Sequence, residues 1–321
     1  MMRKLAVSCF ATLLGLGAGL AHAADKPANF PVKPIELVVV YPAGGGMDVT
    51  ARTLGKAAES ILGHSFRVAN RAGGGGMIGH AFMAKEAKAD GYTVGILAMA
   101  PVFLQIISKN APFGRDDFDP IGFINFEPYV LMTRGESFAE LMEKAKKEGP
   151  NSVRTSVVTG SLSTLLIDFI EKHQGVKLQR VPFQGGKPSL LGLLNGTVDM
   201  AIGYFTEGDQ YFRSGKARPA AVADTEPHAK LPDTPTLTSL GVPVGSATFG
   251  AARFIELPVG VPADVRAYLE QSFVKVLQDE STKAAFAKLG LTVRPYDAKK
   301  TSELYGKAFD TVKELTAQAK Q

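Results

Sequence analysis

Four glycine-bearing turns hold the residues of this chain best placed to do chemistry, and that chemistry is recognition of an anion. The run Tyr41-Pro42-Ala43-Gly44-Gly45-Gly46-Met47-Asp48 follows the apolar stretch Ile35 to Val40 and precedes a helical pattern. Glycines at such a corner adopt dihedrals closed to other residues and bring backbone N–H groups close to a ligand. The helix start adds unpaired N–H groups and the positive end of a dipole, which suits a carboxylate as well as a phosphate. Gly73 to Gly76 before Met77, Thr159-Gly160-Ser161 before Leu162, and Gln184-Gly185-Gly186 after Val181-Pro182-Phe183 occupy equivalent positions. Any one of these is as readily a tight turn between strand and helix. Four of them, split across two halves, favour a ligand held mainly by backbone. Gly44 to Gly46 lacks the GxGxxG spacing, and no GxxxxGK[ST] occurs.

Side chains beside these turns carry two readings each. Asp48 either caps the first helix, accepting from the N–H of Thr50 or Ala51, or touches the ligand. Ser161 and Ser163 cap likewise or donate hydroxyl hydrogens to a carboxylate. Arg253 follows a Gly/Ala-rich stretch near a strand, where it forms a structural ion pair or meets a distal carboxylate. Tyr204 and Phe205 face a cleft, which would suit a flat acid, or start a helix and pack inward. Catalytic sets are poor. His64, His80, His173 and His228 have no metal-ligand spacing, and neither serine lies in a G-x-S-x-G elbow. The expectation is a binder, with no catalytic residues, metal or cofactor. The rival is an exported α/β enzyme acting on a similar acid.

The elements that position these residues alternate short β-branched runs with longer mixed segments, the pattern of an α/β fold. Strands are expected at Ile35 to Tyr41, Phe66 to Ala69, Tyr92 to Leu97, Val153 to Val158, Leu178 to Val181, Val198 to Ile202 and Arg218 to Ala223, with a short one at Thr292 to Arg294. Helices are expected at Val49 to Leu62, Met77 to Lys85, Ser137 to Lys147, Ser161 to His173, Pro262 to Leu277, Ser281 to Leu289 and Thr301 to Lys320. The pattern restarts near Val130, after the proline-containing span Pro112 to Pro128. This predicts two lobes, residues 24–127 with 249–321 and residues 128–248, with the ligand cleft between them.

Residues 1–23 read as a secretory signal peptide: Arg3 and Lys4, an apolar core from Leu5 to Leu20, and Ala21-His22-Ala23 as the cleavage site. Cys9 lies inside that core behind Ala6-Val7-Ser8, a poor lipidation site, and it is the only cysteine. The exported chain must therefore be stabilised by its own cores, as fits a periplasm. The formal net charge of +5 is partly carried by the leader and no dense basic cluster occurs, which sets nucleic acid aside.

Motifs along the mature chain resemble those of the extracytoplasmic solute receptors of the tripartite tricarboxylate transporter system, the Bug family. They are Tyr41 to Asp48, Asn70-Arg71-Ala72-Gly73-Gly74-Gly75-Gly76-Met77-Ile78-Gly79, Asp90-Gly91-Tyr92-Thr93, Val181 to Gly186, Leu194-Asn195-Gly196-Thr197-Val198-Asp199, Leu231 to Thr236 and Pro258 to Pro262. The resemblance implies a two-lobed periplasmic-binding-protein-like fold, each lobe a central mainly parallel sheet flanked by helices. It also implies a monomer that closes on a small organic carboxylate, a di- or aromatic acid, and serves membrane transporter subunits or a sensor kinase. Carried over by motif, the ligand positions are Ala43, Gly44, Gly45, Gly46, Met47 and Asp48; Ala98, Met99, Ala100 and Pro101 after the third strand; Thr159, Gly160, Ser161 and Ser163; Gln184 and Gly185; and, near the cleft, Gly203, Tyr204 and Arg253. The chain departs from the pattern in places. The loop Ala98 to Pro101 lacks the usual hydroxyls, Thr164 stands at a frequent His position and Ala252 at a common Trp position. Gly203 replaces a frequent Asp, a change that predicts open space and no acidic contact for an ammonium-bearing ligand.

Overall fold

The computed structural model describes residues 26–108, 111–158, 161–245 and 248–318. The proposed leader, with Cys9, and the turn residues Thr159 and Gly160 lie outside these. The strands are β1 (Ile35–Val39), β2 (Phe66–Asn70), β3 (Thr93–Ala98), β4 (Phe118–Pro128), β5 (Val130–Thr133), β6 (Arg154–Val158), β7 (Gln179–Phe183), β8 (Ala201–Gly203), β9 (Arg218–Val222) and β10 (Gly250–Pro258). The helices are α1 (Gly46–Leu62), α2 (Met77–Ala81), α3 (Met99–Ser108), α4 (Phe138–Glu148), α5 (Ser163–Gln174), α6 (Gly186–Leu194), α7 (Phe205–Arg213), α8 (Ala263–Gln278), α9 (Glu280–Lys288) and α10 (Ala298–Gln318).

Two α/β lobes result, the first on one five-stranded sheet and the second on the sheet β8-β5-β9 with the pair β6-β7 bridged to it, and each has a single reversed strand. In the first the order is β2-β1-β3-β10-β4, with β1 parallel to β2 and β3, and β10 antiparallel to β3 and β4. In the second, β5 runs antiparallel to β8 and β9, while β6 pairs parallel with β7 and, through Thr155 and Met200, runs parallel to the entry of β8. The β-branched run of β1 is buried on both faces, as helices on both sides of a sheet require. Leu37 and Val39 pack with Leu54 and Ala58 of α1 and with Phe273 of α8, whereas Val38 and Leu97 face the core shared with α3 and α10. At Tyr129 β4 of the five-stranded sheet gives way to β5 of the next sheet. There the Tyr129 N–H donates to Phe249 O and the Ala223 N–H to Tyr129 O.

Beyond β5, β10, α6 and α7, which the pattern did not name, three segments depart from the pattern-based expectation for a local reason. Residues 118–128 form a strand despite Pro120 and Pro128, because β4 lies at the sheet edge, where a missing N–H is tolerated. The segment Ala98 to Pro101 is not a loop: β3 runs directly into α3, with Pro101 in the helix's first turn, where its N–H is not needed. Thr292 to Arg294 is not a strand. It contributes one sheet-edge bond, Arg294 N–H to Ile124 O at 2.9 Å, before Pro295 removes the next donor. Among the described residues no helix is long and apolar enough to cross a membrane.

The second glycine turn serves packing. A Cβ on Gly79 would lie 2.5 Å from Val40 Cγ1 and 2.7 Å from the Arg71 carbonyl oxygen, so α2 sits against the sheet only as a glycine helix. Gly79→Ala is expected to destabilise the protein by about 1–3 kcal/mol through overpacking. Urea unfolding tests this, and an unchanged midpoint would show that α2 is free to shift outward.

Candidate functional site

A cavity of about 260 Å³ lies between the β1–α1 turn on one side and the starts of α6 and α7 on the other. Its walls come from both lobes: Pro42, Ala43 and Met47 from the first, Lys187, Pro188 and Tyr204 from the second, with Pro101 and Tyr129 between them.

The first turn is tied down from within. Gly44 has φ +79°, and it alone of Gly44, Gly45 and Gly46 has a positive φ. Its N–H donates to Asp48 Oδ2 at 2.9 Å. Asp48 therefore does not cap α1 through Thr50 or Ala51; it lies inside the helix, and Gly45 occupies the N-cap without a side-chain bond. Its other bonds come from Arg52 Nε at 2.9 Å and Asn70 Nδ2 at 3.0 Å, and Asn70 also donates to Tyr41 O. Burial pushes the Asp48 carboxyl up, but Arg52, the Gly44 N–H and Asn70 together hold it below the usual carboxylate range. Both oxygens are engaged, and Asp48 does not line the cavity; it positions the turn.

The expected set of three ligand-facing glycine amides is likewise corrected. Gly44 is engaged by Asp48, the Gly45 N–H bonds Pro42 O at 3.4 Å, and the Gly46 N–H faces the Glu207 carboxylate and helps hold its pKa down. Met47, in the first turn of α1, lines the cavity, and the N–H groups of that turn have no acceptor within the helix. On the opposite wall α6 begins at Gly186-Lys187 in the same way. Lys187 is exposed, and its Nζ lies 3.2 Å from where a Cβ on Gly44 would stand, so its side chain crosses to the first turn. It has no ion-pair partner among the described residues.

Arg253 adopts the ion-pair alternative. Fully buried, it pairs with Glu127 on β4, donates from Nη1 to Asn125 Oδ1 at 3.3 Å and from Nε to Met47 Sδ at 3.2 Å, and does not line the cavity. Glu127 Oε1 in turn accepts from the N–H and hydroxyl of Thr206 in α7, at 3.1 and 3.0 Å.

Of the remaining expected positions, Ala43, Gly45, Gly46, Met47, Ala98, Pro101, Ser161, Gly185, Gly203 and Tyr204 line the cavity. Met99 is wholly buried, and Ala100 faces a separate hollow beside Phe123. Gln184 is exposed away from the cavity. The hydroxyls of Ser161 and Ser163 splice β6 to α5: Ser163 Oγ accepts the Val158 N–H at 2.7 Å, and Ser161 Oγ donates to Val158 O at 3.0 Å. Only Ser161 reaches the cavity, where it meets the Tyr129 hydroxyl, which also meets Tyr204. Phe205 packs inward among Leu190 and Val198.

Space opened by Gly203 is not empty. A Cβ there would lie 2.9 Å from Glu207 Oε2, and a Cβ on Gly186 would overlap the same carboxylate. An acidic group thus returns from one helical turn further on, and the expected loss of negative charge does not occur. Glu207 accepts the Tyr204 N–H at 3.0 Å, the reciprocal arm of the α7 cap. Burial, and then the nearby Glu127, push its carboxyl up to about 7 against the opposing pull of the Tyr204 and Gly46 N–H groups and Arg253. Glu207, Lys187, Tyr129 and Leu191 were not recognised as site residues. The i, i+3 spacing of Tyr204 and Glu207, and a lysine just inside a glycine-started helix, were the available signals.

The family described as "Tripartite tricarboxylate transporter family receptor" matches residues 50–318. The chain is 30% identical over 303 residues to Protein BugT of Bordetella pertussis, covering 91% of this chain and 90% of that one. Over 274 residues it is 30% identical to a Pseudomonas sp. (strain P51) protein of the tcbD-tcbE intergenic region, covering 84% and 81%. Its fold superimposes on the periplasmic binding protein BugD with TM-score 0.81 at 27% identity, covering 91% of this chain and 98% of that one. It also superimposes on an R. palustris protein solved with adipate, with TM-score 0.82 at 24% identity, covering 90% and 98%.

Asp48→Ala is expected to cost about 2–3 kcal/mol, since it removes a buried acceptor of charge-assisted bonds and frees the Gly44 N–H. The Asp48 contribution is fully present above the ordinary Asp pKa of 3.8 and is lost as pH falls through its lower folded value. Denaturation of both proteins at pH 7 and pH 3 should therefore show a gap that narrows at the lower pH; an equal gap at both would remove Asp48 from this role.

Proposed function

We propose, for a chain that belongs to the tripartite tricarboxylate transporter receptor family, that the cavity between the β1–α1 turn and the start of α6 holds one small organic carboxylate. Membership makes this a periplasmic solute-binding protein that works with a membrane transporter and performs reversible binding rather than bond chemistry. The observation that carries the carboxylate assignment is Lys187: an ammonium without an acidic partner among the described residues, set between two helix starts on facing walls. A carboxylate placed there gains charge-assisted hydrogen bonds from the ammonium and from the α1 and α6 N–H groups, and the positive dipole ends add to them.

The contacts assigned to the ligand are Ala43, Met47, Pro101, Ser161, Gly185 and Tyr204, with Lys187 as the charged anchor. Met47, Pro101 and Tyr204 supply the apolar surface that a carbon skeleton needs. The lobes assigned are residues 24–127 with 249–321, and residues 128–248. The molecule acts as a monomer whose lobes close on the solute and present the closed form to transporter subunits. Three observations support these boundaries: the separation of the five-stranded sheet from the β8-β5-β9 and β6-β7 sheets, the change of sheet at Tyr129, and the Phe249 bond that returns there.

A thermal-shift screen of mono-, di- and aromatic carboxylates tests this reading. At a ligand concentration about a hundredfold above Kd, binding adds about 2.7 kcal/mol to stability. A matching acid should raise Tm, and its full methyl ester should not. Lys187→Met should weaken the best acid by about tenfold or more in calorimetry. Equal stabilisation by acid and ester, or unchanged affinity in Lys187→Met, overturns the assignment.

A further inference from the structure

We propose that Glu207 is a specificity-determining residue that makes the cavity take acids with one ionised carboxylate and a hydrogen-bond donor, and reject dianions. The proposal rests on the carboxylate reading above and goes beyond it by setting the charge of the bound form.

A charge inventory of the cavity is the first argument. Among the described residues lining it, Lys187 is the one basic side chain and Glu207 the one acidic side chain. Arg253 adds nothing to the ligand's account, because it is buried behind the wall and neutralised by Glu127. One carboxylate therefore finds a counter-charge. A second would sit in a water-poor space against a group of its own sign, where like charges repel strongly.

The position of Glu207 is the second argument, because the chain makes room for it. Gly186 and Gly203, on two different elements, leave the volume its carboxylate fills, and either Cβ would crowd it. Oε2 is held by the Tyr204 N–H, while Oε1 points towards the β1–α1 turn, 3.9 Å from where a Cβ on Gly45 would stand. An ionised carboxylate has about four acceptor sites, and the bonds from Tyr204 and Gly46 occupy two. The rest are available to a ligand hydroxyl, amide or ammonium hydrogen.

The groups facing Glu207 set its protonation. Glu127 from β4 and the phenols of Tyr129 and Tyr204 surround it, with Arg253 from β10 behind and Lys187 from α6 on the same wall, its ammonium reaching over the first turn. With its carboxyl pushed up to about 7, Glu207 is ionised at pH 8 and mostly protonated at pH 6. Protonated, it donates to a second carboxylate rather than repelling it. Discrimination should therefore be strong above neutrality and relax below it.

Diacids and their half-amides are matched probes, since they share shape and differ in whether the far end is an anion or a neutral donor. Calorimetry with succinate and succinamate, adipate and adipamate, and terephthalate and terephthalamate, at pH 8 and pH 6, tests the proposal on the unmodified protein. The half-amide of the best-binding pair should be favoured at least about tenfold at pH 8, and the preference should fall about tenfold at pH 6. Glu207→Gln keeps an acceptor for the Tyr204 N–H and should abolish the preference. Any pH dependence it retains belongs to the probes' own titration. A diacid preferred at pH 8 by the unmodified protein, or a Glu207→Gln protein with the same preference, overturns the proposal while leaving the carboxylate reading intact. If no member of any pair binds either protein, both readings fall.

Discussion

The buried pair Arg253–Glu127 is the constraint on which the rest of this architecture hangs. Both side chains are essentially without solvent exposure, so neither charge is tolerable without the other. The pair joins β10 to β4, neighbouring antiparallel strands at the edge of the first sheet. Its spare donors and acceptors reach outward: Arg253 Nε touches Met47 at the start of α1, and Glu127 Oε1 takes both donors of Thr206 at the start of α7. Two helix starts on opposite sides of the cleft are thus referred to one ion pair. The chemical consequence is that Arg253, the most obvious anion receptor in the sequence, is unavailable to a ligand.

The same pair shapes the electrostatics of the cavity above it. Glu127 is close enough to raise Glu207, and Arg253 only partly offsets this. A carboxyl poised near neutrality shares one wall with a lysine, whose flexible stem carries the ammonium over the first turn opposite. Backbone amides enter mainly through helix starts. The glycine corner serves its own architecture first, with Asp48, Pro42 and Glu207 each taking one of its N–H groups. Its contribution is a low, rigid wall that allows the second lobe to approach.

Much of this was legible before any coordinates. The β-branched runs, the glycine turns between strand and helix, and the repeat of the pattern after Val130 led to two α/β lobes with turns of both lobes on one cleft. The motif series pointed to the family to which the chain belongs. Local pattern failed where position in the sheet overrules it, as in β4, whose prolines are acceptable only because the strand lies at an edge. It failed again at Ala98 to Pro101, where a proline inside a first helical turn was mistaken for a loop residue.

What the sequence by itself determined is the set of elements and the corner chemistry, because periodicity, turn residues and capping preferences act over a few residues. Only the tertiary structure decided how each charge is used. Whether Arg253 meets a ligand or Glu127, whether Asp48 looks forward into its helix or back to Gly44, and whether the room at Gly203 is open or filled by Glu207 all depend on partners far along the chain. Buried charges and hydrogen-bonding groups must find partners wherever the fold brings them, and that requirement is settled by proximity in space, which no local spacing encodes.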